Sequence, residues 1–355
     1  MNIWFDARFI NPENPDGITN FSLGLIRELA KLVPVSALIC SNRQQEMLPS
    51  AVQCLMVNDP ISPKELVLAR SLRGRGISWL VSPMQTTSSI PRDFKLALSL
   101  HDMIYYRHRK PPAGFTWRVW VLWWLFHLTY FPQRLLLNRA NLVLTVSETS
   151  KREIAKAKLT KRPIEVIGNA SDLIPTKPTK SRHDSKYLIY MGSFIDYKNV
   201  EFLVRAMKTL PGHTLVLLSR ISESNRKRLS ELAERNSASV EFIDGVTPQE
   251  YAHWLGQAQA LVSASKDEGF GIPVVEAMSQ GLPVVLSDLE VFHEVARDAA
   301  FYFDSSNESN FKDHIVKLQD QATWNQQSSR AINQAMNYSW EASAKTLLAA
   351  LDRLS

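Results

Sequence analysis

The segment Ser265-Lys-Asp-Glu-Gly-Phe-Gly-Ile-Pro-Val-Val-Glu-Ala-Met278 sets two carboxylates, Glu268 and Glu276, eight positions apart around a Gly-Phe-Gly loop and a proline. Ahead of it, Ala258 to Ser265 is a short apolar run of strand type that ends in small residues. Behind it, Pro273 suits the first position of a helix, and Gly281 suits the stop before Pro283. A second apolar run, Leu282 to Ser287, follows. The order is strand, glycine loop, short helix, strand. It puts backbone N–H groups and a helix N-terminus at the carboxyl end of a strand, where a phosphate binds favourably.

The carboxylates need a separate reason, because a glutamate beside a bound diphosphate repels it. About one turn into the expected helix, Glu276 is placed to accept two hydrogen bonds from a ribose diol. Glu268, just before the loop, reaches the other end of the same ligand. A diphosphate flanked by two hydroxyl-rich groups is the outline of a nucleotide sugar. Taken alone, the spacing favours a surface loop with two solvated glutamates.

The same alternation runs through the chain. Apolar runs at Asn2 to Asp6, Val35 to Cys40, Trp79 to Ser82, Leu96 to His101 and Leu142 to Ser147 are separated by helical patterns such as Phe21 to Leu32. A second series contains Tyr187 to Met191, a helix from Asn199 to Leu210, Thr214 to Leu218, a helix from Glu223 to Asn236, Val240 to Ile243 and Ala300 to Phe303. Between the series, the proline-bearing residues 173–186 read as a linker. The fold class expected is α/β: two parallel-sheet domains facing a cleft, a preferred place for small ligands. The 355 residues have room for two cores. Cys40 and Cys54 support no disulfide framework and read as plain thiols of a reducing compartment. The chain starts directly as a strand, with no signal peptide, so the expected location is cytoplasmic.

One segment breaks the pattern. Phe115 to Phe131 holds a single full charge, Arg118, and carries Trp117, Trp120, Trp123 and Trp124 at helical spacing. It is at the lower limit for spanning a bilayer, and the arginine and Pro132 count against spanning. From His101 to Pro163, twelve Lys or Arg stand against three Asp or Glu, a local balance of +9. Tryptophans flanked by basic residues suit an anionic membrane surface, and the four indoles are read as membrane contacts. The alternative is a core helix. No nucleic-acid-binding signature accompanies the basic patch, so nucleic acid is not expected as a partner.

Glu268-Gly-Phe-Gly-Ile-Pro-Val-Val-Glu276-Ala-Met resembles the signature of retaining glycosyltransferase family four, which has the two-domain GT-B fold of Rossmann-like domains. The resemblance extends to mannosyltransferase-like members of bacterial surface-polysaccharide synthesis and runs nearly end to end. Asp16-Gly17-Ile18 with Phe21-Ser22 resembles the glycine loop after the first strand, and Leu100-His101-Asp102 a His-Asp element. Thr145 to Ser150 resembles the late N-domain motif, Met191-Gly-Ser193-Phe with Lys198-Asn199 the first C-domain loop, and Asp244-Gly245-Val246 the base-binding turn. Tyr338-Ser-Trp340 resembles the start of the helix that crosses back to the N-domain. This implies an acceptor-binding domain at 1–172, completed by 338–355, and a nucleotide-sugar-binding domain at 187–337.

By the same resemblance, Lys198, Glu268 and His101 are the catalytic group. Lys198 would neutralise the diphosphate, Glu268 would bind the transferred sugar, and His101 would lie beside that sugar. Gly17, Ser193, Val246, Gly269, Phe270, Gly271, Ile272 and Glu276 would bind the donor, Glu276 through the ribose. Three departures stand out: Ser193 and Tyr197 occupy positions where members often carry arginine, and Ser219 stands where a glycine often closes the second C-domain strand.

The expected reaction moves a hexose, mannose from GDP-mannose being preferred, to a glycan that is lipid-linked, with retention at the anomeric carbon. UDP- and dTDP-sugars remain open. No Asp-x-Asp pair is present, so neither a metal nor a cofactor is expected; the donor nucleotide sugar is a substrate. The expected place is the inner face of the cytoplasmic membrane, as a peripheral protein. The rival readings are an inactive nucleotide-sugar-binding or membrane-scaffold protein and a glycoside hydrolase, which also uses paired carboxylates.

Overall fold

The structure is a computed structural model and describes residues 1–109, 116–178 and 180–355. The chain divides into two compact units: Met1–Ala170 with Ser339–Ser355, and Ser171–Tyr338. Phe115, counted in the tryptophan-rich segment, and Thr179, in the expected linker, lie outside the described residues.

The first unit is a seven-stranded parallel sheet: β1 Ile3–Asp6, β2 Val35–Ile39, β3 Gln53–Met56, β4 Trp79–Ser82, β5 Lys95–Ser99, β6 Leu142–Thr145 and β7 Ile164–Val166. Its order is β3-β2-β1-β4-β5-β6-β7, so the direction of winding reverses between β1 and β4. β4 and β6 are buried along their whole length, which is why they read as unbroken apolar runs. β3 and β7 were not expected from the sequence. They are the two edge strands, short and only partly buried, and carry no usable pattern. One core gathers Leu38, Leu68, Leu80, Leu96, Leu98, Leu137 and Val143 on one side of the sheet. Burying each such side chain stabilises the fold by about 1.5–3 kcal/mol before chain entropy is counted.

The C-terminal helix Trp340–Arg353 belongs to this unit and packs on the helix Gly17–Leu32. Gly24 permits the approach: a Cβ there would sit 2.3 Å from the Trp340 ring.

The second unit is a six-stranded parallel sheet: β8 Tyr187–Tyr190, β9 Thr214–Leu217, β10 Val240–Phe242, β11 Ala260–Ser263, β12 Val284–Ser287 and β13 Ala300–Phe303. The order is β10-β9-β8-β11-β12-β13, with the reversal between β8 and β11. Phe202 stacks on Phe303, and both meet Phe311 edge-on in a core that also holds Leu188, Leu217, Val262 and Trp324. Both units are thus Rossmann-like: open parallel sheets covered by helices.

Two local expectations change. The stretch expected as one helix from Asn199 to Leu210 is an α-helix at Val200–Ala206 that tightens into a 3-10 turn at Met207–Thr209, and a separate 3-10 turn, Asp196–Lys198, precedes it. Asn199 is left-handed (φ 53°), so helical geometry cannot pass through it. Pro273 is the second residue of its helix, Ile272–Ser279, because Gly271 already acts as the N-cap.

Candidate functional site

In an open parallel sheet, ligands gather beyond the carboxyl ends of the strands where the winding reverses. In the second unit that point lies between β8 and β11, and the loops following these two strands carry Lys198 and Glu268. The Lys198 Nζ lies 2.6 Å from the Glu268 Oε1, and the two side chains are only 17% and 12% exposed. Ser265 donates its hydroxyl to the same Glu268 oxygen at 3.0 Å. The loop bearing Lys198 is stitched to the end of β11 by two further bonds. The Lys266 N–H donates to the Tyr197 carbonyl (2.7 Å), and the Asn199 amide donates to the Ala264 carbonyl (3.1 Å). The left-handed turn at Asn199 brings that amide into reach and delivers Lys198 to Glu268.

Gly271 has φ +94°, a conformation that L side chains rarely adopt, and a Cβ there would come within 3.0 Å of the Phe292 ring. It caps the Ile272–Ser279 helix without any side-chain hydrogen bond. Pro273 has no N–H and the Val274 N–H donates to the Gly271 carbonyl at 3.0 Å, so the Ile272 N–H and the positive end of the helix dipole are what this N-terminus offers an anion. Phe270 is buried and meets the Tyr338 ring edge-on at 5.5 Å, which anchors the loop between Glu268 and the helix.

Glu276 follows in the second turn of this helix. Protein surrounds most of its carboxyl, though part of its surface stays open, and this burial pushes its pKa up to about 7. The Tyr251 hydroxyl opposes the rise, and the charge of Asp172 adds to it. That hydroxyl is buried and lies near the carboxyl without closing a full hydrogen bond. Tyr251 carried no sequence signal; its helix, Pro248–Gln257, is an ordinary amphipathic one.

Ser193 and Val246 close the row. Gly192 leaves no room for a side chain, since a Cβ would meet the Tyr190 hydroxyl at 2.8 Å, and that hydroxyl donates to the Ser193 carbonyl at 2.6 Å. The Gly192 N–H donates to Ser219 at 2.9 Å, so the serine found in place of glycine ties down the loop after β8. Val246 follows the positive-φ pair Asp244 and Gly245 beyond β10, with Gly245 donating to the Leu218 carbonyl after β9.

His101 and Gly17 belong to the first unit. His101 follows β5, and its Nε2 lies 2.8 Å from the Pro83 carbonyl, which requires the proton on Nε2. Burial holds the imidazole below its usual pKa, against the Pro83 carbonyl and the Asp16 charge, so the ring is neutral at pH 7. Phe21 meets it edge-on at 5.0 Å. Gly17 is not in a loop as expected: it is the first residue of the Gly17–Leu32 helix, whose N-cap Asp16 accepts from the Thr19 N–H.

The tryptophan-rich segment forms the helix Trp117–Leu128 in the first unit. Trp117, Trp120 and Trp124 are 72%, 44% and 38% exposed, with Leu122 and Leu125 beside them. Only His127 is fully buried among its described residues, so these indoles do not fill a core. Trp123 differs from the other three by turning inward, onto Tyr105 and His127. Among the described residues no helix is long and apolar enough to cross a membrane.

Comparison with known proteins agrees with this geometry. Residues 175–337 match the family model described as glycosyl transferases group 1. The chain is 25% identical over 330 residues to the O-antigen chain mannosyltransferase RfbU of Salmonella typhimurium, covering 85% of this chain and 87% of that one. It is 29% identical over 225 residues to the O-antigen chain mannosyltransferase B of Escherichia coli, where the match spans 58% of each. Among solved structures it is similar to sucrose-phosphate synthase of Thermosynechococcus elongatus (TM-score 0.78, 15% identity), covering all of this chain and 99% of that one. It is also similar to WaaG, a glycosyltransferase involved in lipopolysaccharide biosynthesis (TM-score 0.68, 14% identity), covering both chains completely. These two likenesses show the fold, which is of the GT-B type.

Proposed function

We propose that this chain, whose residues 175–337 match the group 1 glycosyl transferases, moves mannose from GDP-mannose to a glycan acceptor in surface-polysaccharide synthesis. The carrying observation is the Lys198–Glu268 pair at the strand-order reversal of the second unit, beside the open N-terminus of the Ile272–Ser279 helix. The donor preference draws on relatives named as mannosyltransferases, one of them GDP-mannose:cellobiosyl-diphosphopolyprenol alpha-mannosyltransferase of Xanthomonas campestris.

In this reading the anomeric C–O bond to the diphosphate breaks and the new C–O bond to the acceptor forms on the same face. The acceptor proton passes to a diphosphate oxygen. Charge grows on the leaving group, and Lys198 with the positive end of the helix dipole stabilises it where it grows. Glu268 holds hydroxyls of the sugar. Glu276 accepts from the ribose diol, and the donor supplies the hydrogen-bonding group that the buried Tyr251 hydroxyl lacks. Neither glutamate serves as nucleophile. The residues need no metal or cofactor for these roles.

The exposed Trp117, Trp120 and Trp124 form an apolar surface larger than scattered single residues, and the neighbouring segments are rich in lysine and arginine. This supports peripheral attachment to the anionic inner face of the cytoplasmic membrane, where a lipid-linked acceptor would be presented.

The test is a thermal-shift panel of GDP-, UDP- and dTDP-sugars followed by NMR of the glycoside product. GDP-mannose should give the largest shift, and the product should keep the α configuration. A shift with another nucleotide alone would overturn the donor. Turnover of a simple glycoside without any nucleotide sugar would overturn the reaction.

A further inference from the structure

The first sheet reverses its winding between β1 and β4, and each of these strands ends in a buried polar residue, Asp6 and Ser82. The two Asp6 oxygens take the Arg8 guanidinium as a fork, Nε on Oδ1 and Nη2 on Oδ2, both at 2.7 Å. Arg8 turns its other edge to the Glu65 carboxylate, at 2.5 and 3.1 Å. The Asp6 and Arg8 side chains are wholly buried, and Glu65 is mostly so. One guanidinium thus faces two carboxylates, so the cluster keeps one negative charge that no cation in it cancels. Buried charge is costly unless further hydrogen bonds satisfy it.

Two of those bonds come from the loop that follows β4. The Thr87 hydroxyl donates to Asp6 Oδ2 at 2.7 Å, and the Ser88 N–H donates to Glu65 Oε1 at 2.8 Å. The Asn58 amide adds a third, to Glu65 Oε2 at 2.9 Å. A carboxylate only accepts, so the single Thr87 hydroxyl proton is committed to Asp6. The Ser82 hydroxyl, 2.7 Å from Thr87 Oγ1, must then donate to it, and Ser82 Oγ in turn accepts from the Met84 N–H at 3.1 Å. The charge on Asp6 therefore sets the direction of each proton along this chain. Pro83 stands between Ser82 and Met84, and its carbonyl accepts the His101 Nε2–H at 2.8 Å. Ser99 donates to the Ser82 carbonyl at 2.8 Å, and Thr145 donates to the His101 carbonyl at 3.2 Å, so the backbone on both sides of this contact is tied down.

We infer that the Asp6–Arg8–Glu65 cluster positions His101: through Thr87 and Ser82 it fixes the Pro83 carbonyl, and that carbonyl holds the imidazole with its proton on Nε2. In a neutral ring this leaves Nδ1 as the acceptor, in one orientation. Stability alone does not call for such a cluster, because well-packed apolar residues in the place of a buried ion group serve the fold as well or better. Direction is what the charges add. An apolar cluster would leave the Thr87 and Ser82 hydroxyls free to rotate, and the loop that carries Pro83 would lose its ties to the end of β1. Arg8, Asp6, Glu65 and Thr87 act through His101 and are positioning residues.

The kinetic consequence rests on the glycosyltransferase reading, with His101 beside the transferred sugar; the positioning itself does not, and the two are measured separately. In full-length protein with isotope-labelled histidine rings, NMR should show a slowly exchanging His101 Nε2–H, assigned by its loss in His101→Gln. Thr87→Val keeps the shape and removes the hydroxyl, so exchange of this proton should quicken about tenfold. Thr87→Ser returns the hydroxyl and should return the slow exchange. Glu65→Gln, at the less buried end of the cluster, should also quicken exchange, in a variant whose fold is not at risk. In transfer from GDP-mannose, Thr87→Val should lower kcat about tenfold with the donor KM within about twofold, and Thr87→Ser should recover the loss. Absence of a slowly exchanging His101 Nε2–H in the unsubstituted chain overturns the inference. So does unchanged exchange in Thr87→Val and Glu65→Gln, or a kcat loss that Thr87→Ser leaves in place. Faster exchange in Thr87→Val, in a chain that transfers no sugar from any nucleotide, would overturn the reaction and leave the positioning of His101 standing.

Discussion

Replacing Lys198 by Met separates what the Lys198–Glu268 pair does for the fold from what it does for the reaction. The pair is close, at 2.6 Å, and both side chains are mostly buried. Removing one partner of a fully buried pair costs about 3–5 kcal/mol, because the other charge is left uncompensated. Here some exposure remains and the Ser265 hydroxyl still donates to Glu268, so the cost should be nearer 2 kcal/mol. For a unit of this size that lowers the thermal midpoint by about 4–8 °C. Glu268→Gln should lower it by less, since the lysine can swing toward solvent. In the double variant no charge is stranded, so the two losses should fall short of additivity by about 1–2 kcal/mol. Activity should behave differently: each single change lowers kcat by about 10²–10³, and the double change restores nothing. Calorimetry and single-turnover transfer from GDP-mannose measure the two quantities on the same proteins. Additive stability losses, or near-normal turnover by Lys198→Met, would refute the reasoning.

Three further outcomes are expected. The folded pKa of Glu276 is raised to about 7 by burial, so its contribution to stability is full below the ordinary carboxylate range and is lost as pH rises through about 7. The ionised form is the one that accepts from a ribose diol. GDP-mannose affinity should therefore rise as pH increases through about 7, and Glu276→Gln should flatten the profile; a flat profile in the unsubstituted chain would count against the ribose role. Gly271→Ala forces a Cβ into a left-handed backbone 3.0 Å from Phe292 and should cost about 1–3 kcal/mol in chemical denaturation, with the diphosphate contribution to donor affinity reduced. The triple change Trp117→Ser, Trp120→Ser, Trp124→Ser should abolish co-sedimentation with vesicles containing anionic lipid while leaving the thermal midpoint within a few degrees. Unchanged co-sedimentation would remove the membrane role from this helix.

The donor loop was legible in the sequence because its chemistry is local. Gly271, Pro273 and Gly281 announce a turn, a helix start and a helix stop within eleven residues, and the flanking apolar runs announce buried strands. The edge strands β3 and β7 were not legible, since half-exposed strands of three or four residues leave no periodicity behind. Gly17 was misplaced for a related reason: a glycine after Asp16 reads alike as a loop or as the first residue of a helix capped by that aspartate. Ser219 was visible as a departure, but its hydrogen bond to the Gly192 N–H joins the ends of two strands 27 positions apart.

By itself, the sequence determined the two-sheet α/β plan and the local donor loop, because glycine conformation, helix capping and buried-strand patterning act over a few residues. The tryptophan helix needed the tertiary structure. Its nearly uniform apolar character fits a core and a surface alike, and periodicity could not separate Trp123 from its neighbours. Packing did: Trp123 lies against Tyr105 and His127, while Trp117, Trp120 and Trp124 are left facing outward. Likewise, the eight-residue spacing of Glu268 and Glu276 named two carboxylates but not their surroundings. Only the folded chain sets Glu268 against Lys198 and Glu276 beside Tyr251, because those partners come from other strands and helices brought together by the sheet.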